Sequence, residues 1–339
     1  AWDEFRKAWG ALGIRNVPLI RYWGPYEEDL RNVQDGVIIA GLKKAYSRLL
    51  TDDGQFRALS TRDPLVVMDE AHQAIAPTYQ LIIDLLLRPM SEAQLLGLSA
   101  TPGRTWNDPD ADRKLSEFFA TRKVTLKVDG YDNPVSYLIN QGYLAEPKFT
   151  QIKIDANVAL TSQEQDRIRE TFELPSSVLD RLGDNDQRNL LIVHHAEQLL
   201  KRHSRVILFA ASVRQSDLLS AVLSARGYWA ASITSKSPNG RAESIAAFKD
   251  DEDRPKILCN FGVLTTGFDA PRTSAALIAR PTLSLVLYSQ MVGRAMRGKV
   301  AGGNETCEIL TVVDTTLPGF DSVIDAFSNW EDVWSDKDD

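Results

Sequence analysis

Two adjacent carboxylates, Asp69 and Glu70, follow directly on an apolar run at positions 65–68. If that run is a strand of a parallel sheet, both side chains lie at the carboxyl edge of the sheet, where α/β proteins bind ligands. Asp69 can then orient a Mg²⁺ ion through water, and Glu70 can polarise a water molecule that attacks a phosphate. The alternative is an acidic turn that faces solvent, and this stretch alone supports the two interpretations equally.

Small hydroxyl residues follow the next apolar run, at 95–98. Ser99 and Thr101, on either side of Ala100, can hydrogen-bond to the two carboxylates if both strands end at the same edge. An ordinary exit from a strand into a loop is also rich in such residues. Because the acidic pair and the hydroxyl pair fall on successive predicted strands, the sequence favours a site over two unrelated turns.

The second half of the chain carries a glycine-containing loop after the apolar run at 256–259. Gly267 permits close approach of the backbone to a ligand, while Thr265 and Thr266 can donate hydrogen bonds to a nucleic-acid phosphate. Asp269 can accept a hydrogen bond from a ribose or from a neighbouring arginine. Taken alone, the loop is no more than a glycine–aspartate turn.

Gln290, Arg294 and Arg297 are separated by steps of four and three residues, which predicts that they share one face of a helix. Two guanidinium groups on one face form a fork that suits phosphate oxygens. The alternative is a pair of surface arginines on an amphipathic helix, and the spacing by itself favours that alternative.

The elements that must position these residues follow from the alternation of short apolar runs with longer amphipathic stretches. This alternation predicts α/β architecture with mainly parallel sheets, whose strands helices cover on both faces. The predicted strands lie at 37–40, 65–68, 95–98, 206–209, 229–233, 256–259, 275–278 and 307–313. Helices are predicted at 1–12, 135–141, 160–182, 188–203 and 323–334.

Length and composition set outer limits on the kind of protein. The 339 residues suit two domains, and a segment rich in Gly, Asn and Pro at 129–154 predicts the division into 1–128, the linker, and 155–339. The net charge of −7 argues against coating nucleic acid through bulk charge, but not against gripping it in a narrow groove. Cys259 and Cys307 lie in apolar runs, which argues against a disulfide framework and favours an intracellular, cytoplasmic setting. No apolar run approaches the roughly 20 residues that span a bilayer.

The four segments that carry candidate site residues also occur in a recognisable order along the chain. Asp-Glu-Ala-His at 69–72, Ser-Ala-Thr at 99–101, Thr-Thr-Gly-Phe-Asp at 265–269 and Gln-x-x-Gly-Arg-x-x-Arg at 290–297 resemble motifs II, III, V and VI of the superfamily 2 helicases. The variant resembles the branch with XPB-like DNA helicases and the motor subunits of type I and type III restriction enzymes. Segments 37–42, 205–212 and 133–144 resemble motif Ib, motif IV and the linker of that branch.

The resemblance implies two RecA-like parallel-sheet domains in tandem, with ATP and Mg²⁺ as cofactors. It implies catalytic roles for Asp69, Glu70, Gln290, Arg294 and Arg297; nucleotide contacts for Asp69, Gly267, Asp269, Arg294 and Arg297; coupling of hydrolysis to movement for His72, Ser99, Ala100 and Thr101; and nucleic-acid contacts for Gly41, Leu42, Thr265 and Thr266. His72 and Gln290 are implied to link the two domains. Arg297 is our choice for the arginine finger, because a charge supplied by the opposite domain makes hydrolysis depend on closure.

Two departures from the family pattern stand out. The sequence has no phosphate-binding loop of the form G-x-x-x-x-G-K-[ST]. We therefore expect the first domain to be incomplete at its N-terminus, with a missing segment or a partner chain supplying the loop. Ala40-Gly41 stands where many relatives have Thr or Ser, so backbone N–H groups of Gly41 and Leu42 would replace a hydroxyl contact.

The expected function is an ATP-dependent DNA helicase or double-stranded DNA translocase, with a place in a restriction, defence or repair complex as one option. Duplex DNA is the expected partner, and no membrane association is expected. An RNA helicase and a non-hydrolysing nucleic-acid-binding scaffold stay open as alternatives.

Overall fold

The computed structural model describes residues 2–13, 15–51, 54–87, 92–99, 109–124, 127–131, 134–171, 174–235, 240–263 and 268–317. These residues fall into two compact units, the first formed by 2–99 and 109–123 and the second by 124–317. No helix in the described ranges is both long and apolar enough to cross a membrane. The helix predicted at 323–334 lies outside the described residues.

The first unit contains two pairs of parallel strands, β1 with β2 and β3 with β4. Its elements are α1 (Trp2–Leu12), β1 (Leu19–Tyr22), β2 (Val37–Ala40), α2 (Leu42–Leu50), α3 (Gln55–Ser60), β3 (Leu65–Asp69), α4 (Pro77–Leu86), β4 (Gln94–Leu98) and α5 (Pro109–Phe118). The three strands predicted in this half are confirmed. Strand β1 was not predicted, because it is short and carries a charge at Arg21 among its apolar residues.

Among the residues that the structure describes, helices cover the β3–β4 pair on one face only. Side chains pointing to that face, such as Met68, pack against the helices of the unit. The opposite face, which we call the exposed strand face, consists of Leu65 (61% exposed), Val67 (52%), Leu96 (48%) and Leu98 (47%). The expectation that helices cover both faces is therefore wrong for the described part of this unit.

The second unit is built on a six-stranded, fully parallel sheet of order β5-β10-β9-β6-β8-β7. Its elements are α6 (Pro134–Asn140), β5 (Glu146–Ile154), α7 (Ser162–Thr171), α8 (Ser176–Gly183), α9 (Asp186–Leu200), β6 (Arg205–Phe209), α10 (Val213–Ala225), β7 (Trp229–Thr234), α11 (Arg241–Lys249), β8 (Lys256–Phe261), β9 (Ala275–Ile278), α12 (Leu285–Gly293) and β10 (Thr306–Asp314). All five strands predicted in this half are confirmed.

Two apolar layers enclose the central strands of this sheet, and β6 and β9 are buried along their whole length. Cys259 and Cys307 lie in opposite layers, and both are free thiols as expected. Burial raises the pKa of each thiol to about 12, so neither is a thiolate at neutral pH.

Two local predictions need correction. The helix predicted at 160–182 is two helices, because Pro175 has no N–H to donate within a helix and instead caps α8. The last nine residues of the predicted linker 129–154 form β5, an edge strand paired along its whole length with β10. Its charged residues, Lys148 and Lys153 among them, are typical of an edge strand. Because they interrupt the apolar run, the sequence pattern did not predict this strand. That 129–145 connects two domains stays a prediction.

Candidate functional site

The two predicted carboxylates lie at the carboxyl edge of the β3–β4 pair. Asp69 is the last residue of β3 and is paired in register with Leu98, so Ser99 begins the loop immediately beside it. The Asp69 carboxylate accepts a hydrogen bond from the backbone N–H of Glu70 at 3.0 Å. Ala100 and Thr101 lie outside the described residues.

Glu70 turns the chain back over the strand end. Its backbone is left-handed, with φ of 55° and ψ of 49°, a conformation that costs a residue other than glycine about 1–3 kcal/mol. The turn brings a Glu70 carboxylate oxygen within 3.5 Å of Nδ1 of His72, which lies 3.3 Å from the Ser99 hydroxyl. The sequence placed these residues on two strands, and the structure brings them into one cluster.

A glycine on the neighbouring strand makes room for this turn. A Cβ at Gly97 would come within 2.8 Å of the Ala71 side chain and 2.7 Å of the Phe119 ring. The turn after Glu70 can therefore pack directly on β4, which holds the buried His72 ring against the end of that strand. Substitution of Gly97 would displace the cluster rather than merely crowd the core.

Most of the side-chain atoms at this edge that could bind a metal ion are oxygen atoms. Mg²⁺ is usually held by one or two carboxylates together with water and substrate phosphates, and the exposed Asp69 carboxylate fits that role. A bound Mg²⁺ would neutralise phosphate charge, while Glu70 would orient and deprotonate an attacking water. His72 would help to hold the Glu70 side chain in place, and Ser99 contacts His72 in turn.

The second unit brings together two loops that the sequence treated separately. The Arg294 guanidinium donates to the backbone carbonyl of Phe268, and Arg297 Nε forms an ion pair with Asp269 at 3.3 Å. Asp269 therefore accepts from a neighbouring arginine, one of its two predicted partners. Thr265, Thr266 and Gly267, in the same loop, lie outside the described residues.

The shared helix face predicted for Gln290, Arg294 and Arg297 is wrong for the third residue. Helix α12 ends at Gly293 with Arg294 as its C-cap, and Arg297 lies in an extended segment that forms an antiparallel bridge with Leu144. Ala295 and Met296, which follow the C-cap, are buried in the core. Arg297 is thus placed by a contact with a distant segment rather than by helical periodicity.

The predicted nucleic-acid contact at Gly41 also changes. Its N–H donates to the Tyr22 carbonyl at 2.8 Å, continuing the β1–β2 ladder, so a phosphate contact through that N–H is excluded. A Cβ at position 41 would meet the Trp23 Cβ at 2.9 Å, which explains why Gly stands where many relatives have Thr or Ser. The contact proposed for Leu42, the first residue of α2, stays a prediction.

A buried network of polar side chains lies beside the loops at the strand ends of the second unit, and the sequence analysis did not predict it. Arg188, fully buried, donates to both oxygens of Asp314 at 2.9 and 3.1 Å and to the Ala279 carbonyl at 2.6 Å. Beside it, the Asn189 side-chain oxygen accepts from Gln215 Nε2 at 2.7 Å, and Gln215 Oε1 accepts from the backbone N–H of Ala211 at 2.6 Å. The network ties the ends of β9 and β10 to the loop after β6. An acid directly after the apolar run 307–313 was the signal that could have revealed it.

Breaking the Arg188–Asp314 pair is expected to destabilise the second unit strongly. Asp314→Leu leaves a buried guanidinium without its counter-charge, which costs about 3–5 kcal/mol. Equilibrium urea unfolding should report this loss. Combining it with Arg188→Met removes both charges and should recover most of the stability, whereas Arg214→Ala, which breaks an exposed pair with Asp184, should cost below about 1 kcal/mol. A double variant no more stable than Asp314→Leu would contradict this account.

The described residues form two parallel-sheet units, one with an acidic strand edge and the other with two neighbouring arginines, as the motifs predicted. Comparisons with known families agree. Residues 20–104 match the family "Type III restriction enzyme, res subunit", and residues 189–299 match "Helicase conserved C-terminal domain". The chain therefore carries a region of each of these two families, and the resemblance to helicases and restriction-enzyme motor subunits is confirmed.

Individual relatives extend the same picture. IRC3 of Saccharomyces cerevisiae, a candidate ATP-dependent helicase, is 26% identical over 300 residues, which cover 87% of this chain and 39% of IRC3. A fragment of a candidate HsdR subunit of a type I restriction enzyme from Vibrio vulnificus has a similar fold, with a TM-score of 0.60, 18% identity and coverage of 92% of this chain and 56% of the fragment. Dbp5 of S. cerevisiae, solved with RNA, gives a TM-score of 0.54 at 14% identity, covering 93% of this chain and 68% of Dbp5. The chain spans less than half the length of the curated relatives it matches.

Proposed function

We propose that this chain is part of an ATP-dependent DNA helicase or double-stranded DNA translocase. The observation that carries the proposal is the cluster of Asp69, Glu70, His72 and Ser99 at one strand edge, with Glu70 held 3.5 Å from His72. This cluster can hold hydrated Mg²⁺ and activate water, the two operations that hydrolysis of a γ-phosphate needs. Arg297 and Arg294 supply the positive charge that the transferred phosphate requires.

We propose further that a phosphate-binding segment outside residues 1–339 completes the nucleotide site, from the same polypeptide or from a partner chain. Two observations support this. The sequence has no G-x-x-x-x-G-K-[ST] loop, and the exposed strand face presents four aliphatic side chains beside the acidic edge. Parallel strands are normally covered on both faces, so a strand–loop–helix unit could cover this face and deliver its loop next to Asp69. We call the chain together with that segment the complete motor.

The chain of residues 1–339 alone is expected not to hydrolyse ATP, because its sequence has no G-x-x-x-x-G-K-[ST] loop to bind the phosphates. A sensitive phosphate-release assay with duplex DNA, single-stranded DNA and RNA measures this directly, and the complete motor should hydrolyse ATP under the same conditions. Nucleic-acid-stimulated hydrolysis by residues 1–339 alone would contradict the prediction.

The same assay distinguishes duplex DNA from RNA as the track. The resemblance around motifs III and V and the similarity to a restriction-enzyme subunit favour DNA, whereas the similarity to Dbp5 is the observation that favours RNA. Stimulation of the complete motor by duplex DNA supports our proposal, and stimulation by RNA alone supports the RNA helicase. Binding of nucleic acid without any hydrolysis by the complete motor would identify a non-hydrolysing scaffold instead.

The setting of the motor is part of the proposal. The similarity to restriction-enzyme subunits supports a place in a restriction, defence or repair complex. The two buried free thiols support an intracellular compartment, where reducing conditions keep cysteines unpaired.

A further inference from the structure

A second surface of the first unit combines an exposed aromatic ring with a basic cavity. It lies where β1 and β2 end, since Tyr22 and Ala40 are paired in register at the ends of these parallel strands. The turn Trp23–Tyr26 follows β1 and is closed by a hydrogen bond from the Tyr26 N–H to the Trp23 carbonyl at 2.9 Å. Gly24 has φ of 52° in this turn, a conformation that glycine adopts without strain.

Tyr26 is held firmly but is not covered. The Trp23 ring meets it edge-on with ring centroids 5.6 Å apart, and the Arg21 guanidinium lies 5.1 Å from its centre. Arg21 is itself stacked on Trp2 at 4.5 Å, so the support extends back to α1. Even so, 45% of Tyr26 is exposed to solvent. The ring is pre-positioned, and a ligand that stacks on it loses little side-chain freedom.

A cavity of about 570 Å³ opens beside this turn, lined by Gly24, Glu27, Lys43, Lys44, Ser47 and Arg48. Three of these side chains are basic and one is acidic. Arg48, at 2.6 Å, and Lys44, at 3.2 Å, bind the Glu27 carboxylate and keep its pKa below the ordinary value. Glu27 therefore stays charged and offsets one of the three positive charges. On a chain with net charge −7 this is a local concentration of positive charge.

One lysine fastens the turn to the cavity wall, and another points into solvent. The Lys44 ammonium donates to the Tyr26 carbonyl at 2.7 Å and to the Gly24 carbonyl at 3.2 Å. Lys43, one residue earlier, is exposed. Lys44 therefore holds the turn that carries Tyr26 against α2, the helix that also carries Lys43.

We propose that this surface binds one unpaired nucleotide of a nucleic-acid strand, with the base stacked on Tyr26 and the backbone phosphate on Lys43. Exposed aromatic rings beside basic grooves bind single strands in this way, and each stacked base contributes about 1–3 kcal/mol. A duplex keeps its bases paired and stacked, so its bases cannot reach Tyr26. The inference rests on the proposed function as a nucleic-acid motor and adds a single-strand contact to it.

Fluorescence anisotropy of a labelled oligodeoxythymidylate, with residues 1–339 as the protein, tests the proposal. Tyr26→Ala should weaken single-strand binding about 5- to 150-fold, the equivalent of one stacked base. Tyr26→Phe keeps the ring and should bind like the unchanged protein, as should Tyr143→Ala, which removes an exposed tyrosine of the second unit. Lys43→Gln should reduce the salt dependence of binding by about 0.7 in the logarithmic slope. Oligouridylate in parallel shows whether DNA and RNA strands are both accepted.

The outcomes separate this inference from the proposed function. If the unchanged chain binds single strands and Tyr26→Ala binds equally well, the stacking contact is overturned while the motor proposal stands. An equal loss of duplex binding by Tyr26→Ala, or a loss with Tyr26→Phe, also overturns it, because neither fits stacking of an unpaired base. If the unchanged chain and the complete motor both fail to bind any nucleic acid, the proposed function falls too.

Discussion

Arg297→Ala in the complete motor is expected to lower the maximal rate of nucleic-acid-stimulated ATP hydrolysis by about 10³-fold or more, the usual contribution of an arginine finger. We expect ATP affinity to change far less, because an arginine finger acts on the transition state of hydrolysis rather than on bound ATP. The structure gives a reason why Arg297 is available for this role. Its ion pair with Asp269 is solvent-exposed, with the side chains 41% and 64% accessible, so exchanging it for a phosphate costs below about 1 kcal/mol.

Single-turnover hydrolysis and nucleotide binding on the same preparations measure the two effects separately. Arg297→Lys should rescue little, because an ammonium cannot reproduce the planar fork. Lys299→Ala, two residues further and paired with Glu305 at the surface, is the matched control and should hydrolyse normally. Near-normal turnover of Arg297→Ala would leave Arg294 as the finger.

Glu70→Gln should abolish turnover, with a loss of about 10²- to 10⁴-fold, while ATP binding stays nearly intact. The amide has the shape of the carboxylate and can keep the contact with His72 at the left-handed turn, but it cannot accept a proton from water. The substitution therefore removes the base without dismantling the cluster that positions it.

Equilibrium nucleotide binding and single-turnover hydrolysis again distinguish the roles. Glu92→Gln, at an exposed carboxylate just before β4, controls for the loss of one negative charge in the same unit. If Glu70→Gln loses ATP binding but hydrolyses at the normal rate once saturated, Glu70 is a binding residue and not the base. If Glu92→Gln is equally impaired, general electrostatics and not a specific base explain the effect.

The sequence predicted most of the second unit, because its central strands are buried on both faces and read as near-continuous apolar runs. Strand β9 occupies the predicted residues, and the other four strands are longer than predicted by one or two residues at one end or, for β10, by one residue at each end. The acidic cluster was also predictable, since successive parallel strands end at one edge and the residues after them must meet there. Strand β5 was not, because an edge strand carries polar residues and has no such run.

Tertiary structure decided what local periodicity cannot report. Spacing placed Arg297 on the helix of Gln290, but the folded chain removes it from the helix and pairs it with Leu144, more than a hundred residues away. Arg188 meets Asp314 only because α9 and the end of β10 come together across 126 residues. Periodicity records which side of a segment is buried, and it carries no information about the distant segment that buries it.

By itself, then, the sequence determined the α/β class, the order of the motifs and which side chains could take part in catalysis or binding. These depend on residue type and local pattern. The exposed strand face, the ion pair between Arg297 and Asp269, and the support of Tyr26 by Arg21 and Trp23 were decided by the tertiary structure. Each of these depends on which residues the sheet brings side by side. That outcome is set by the packing of whole elements, where the free energy of burial is gained.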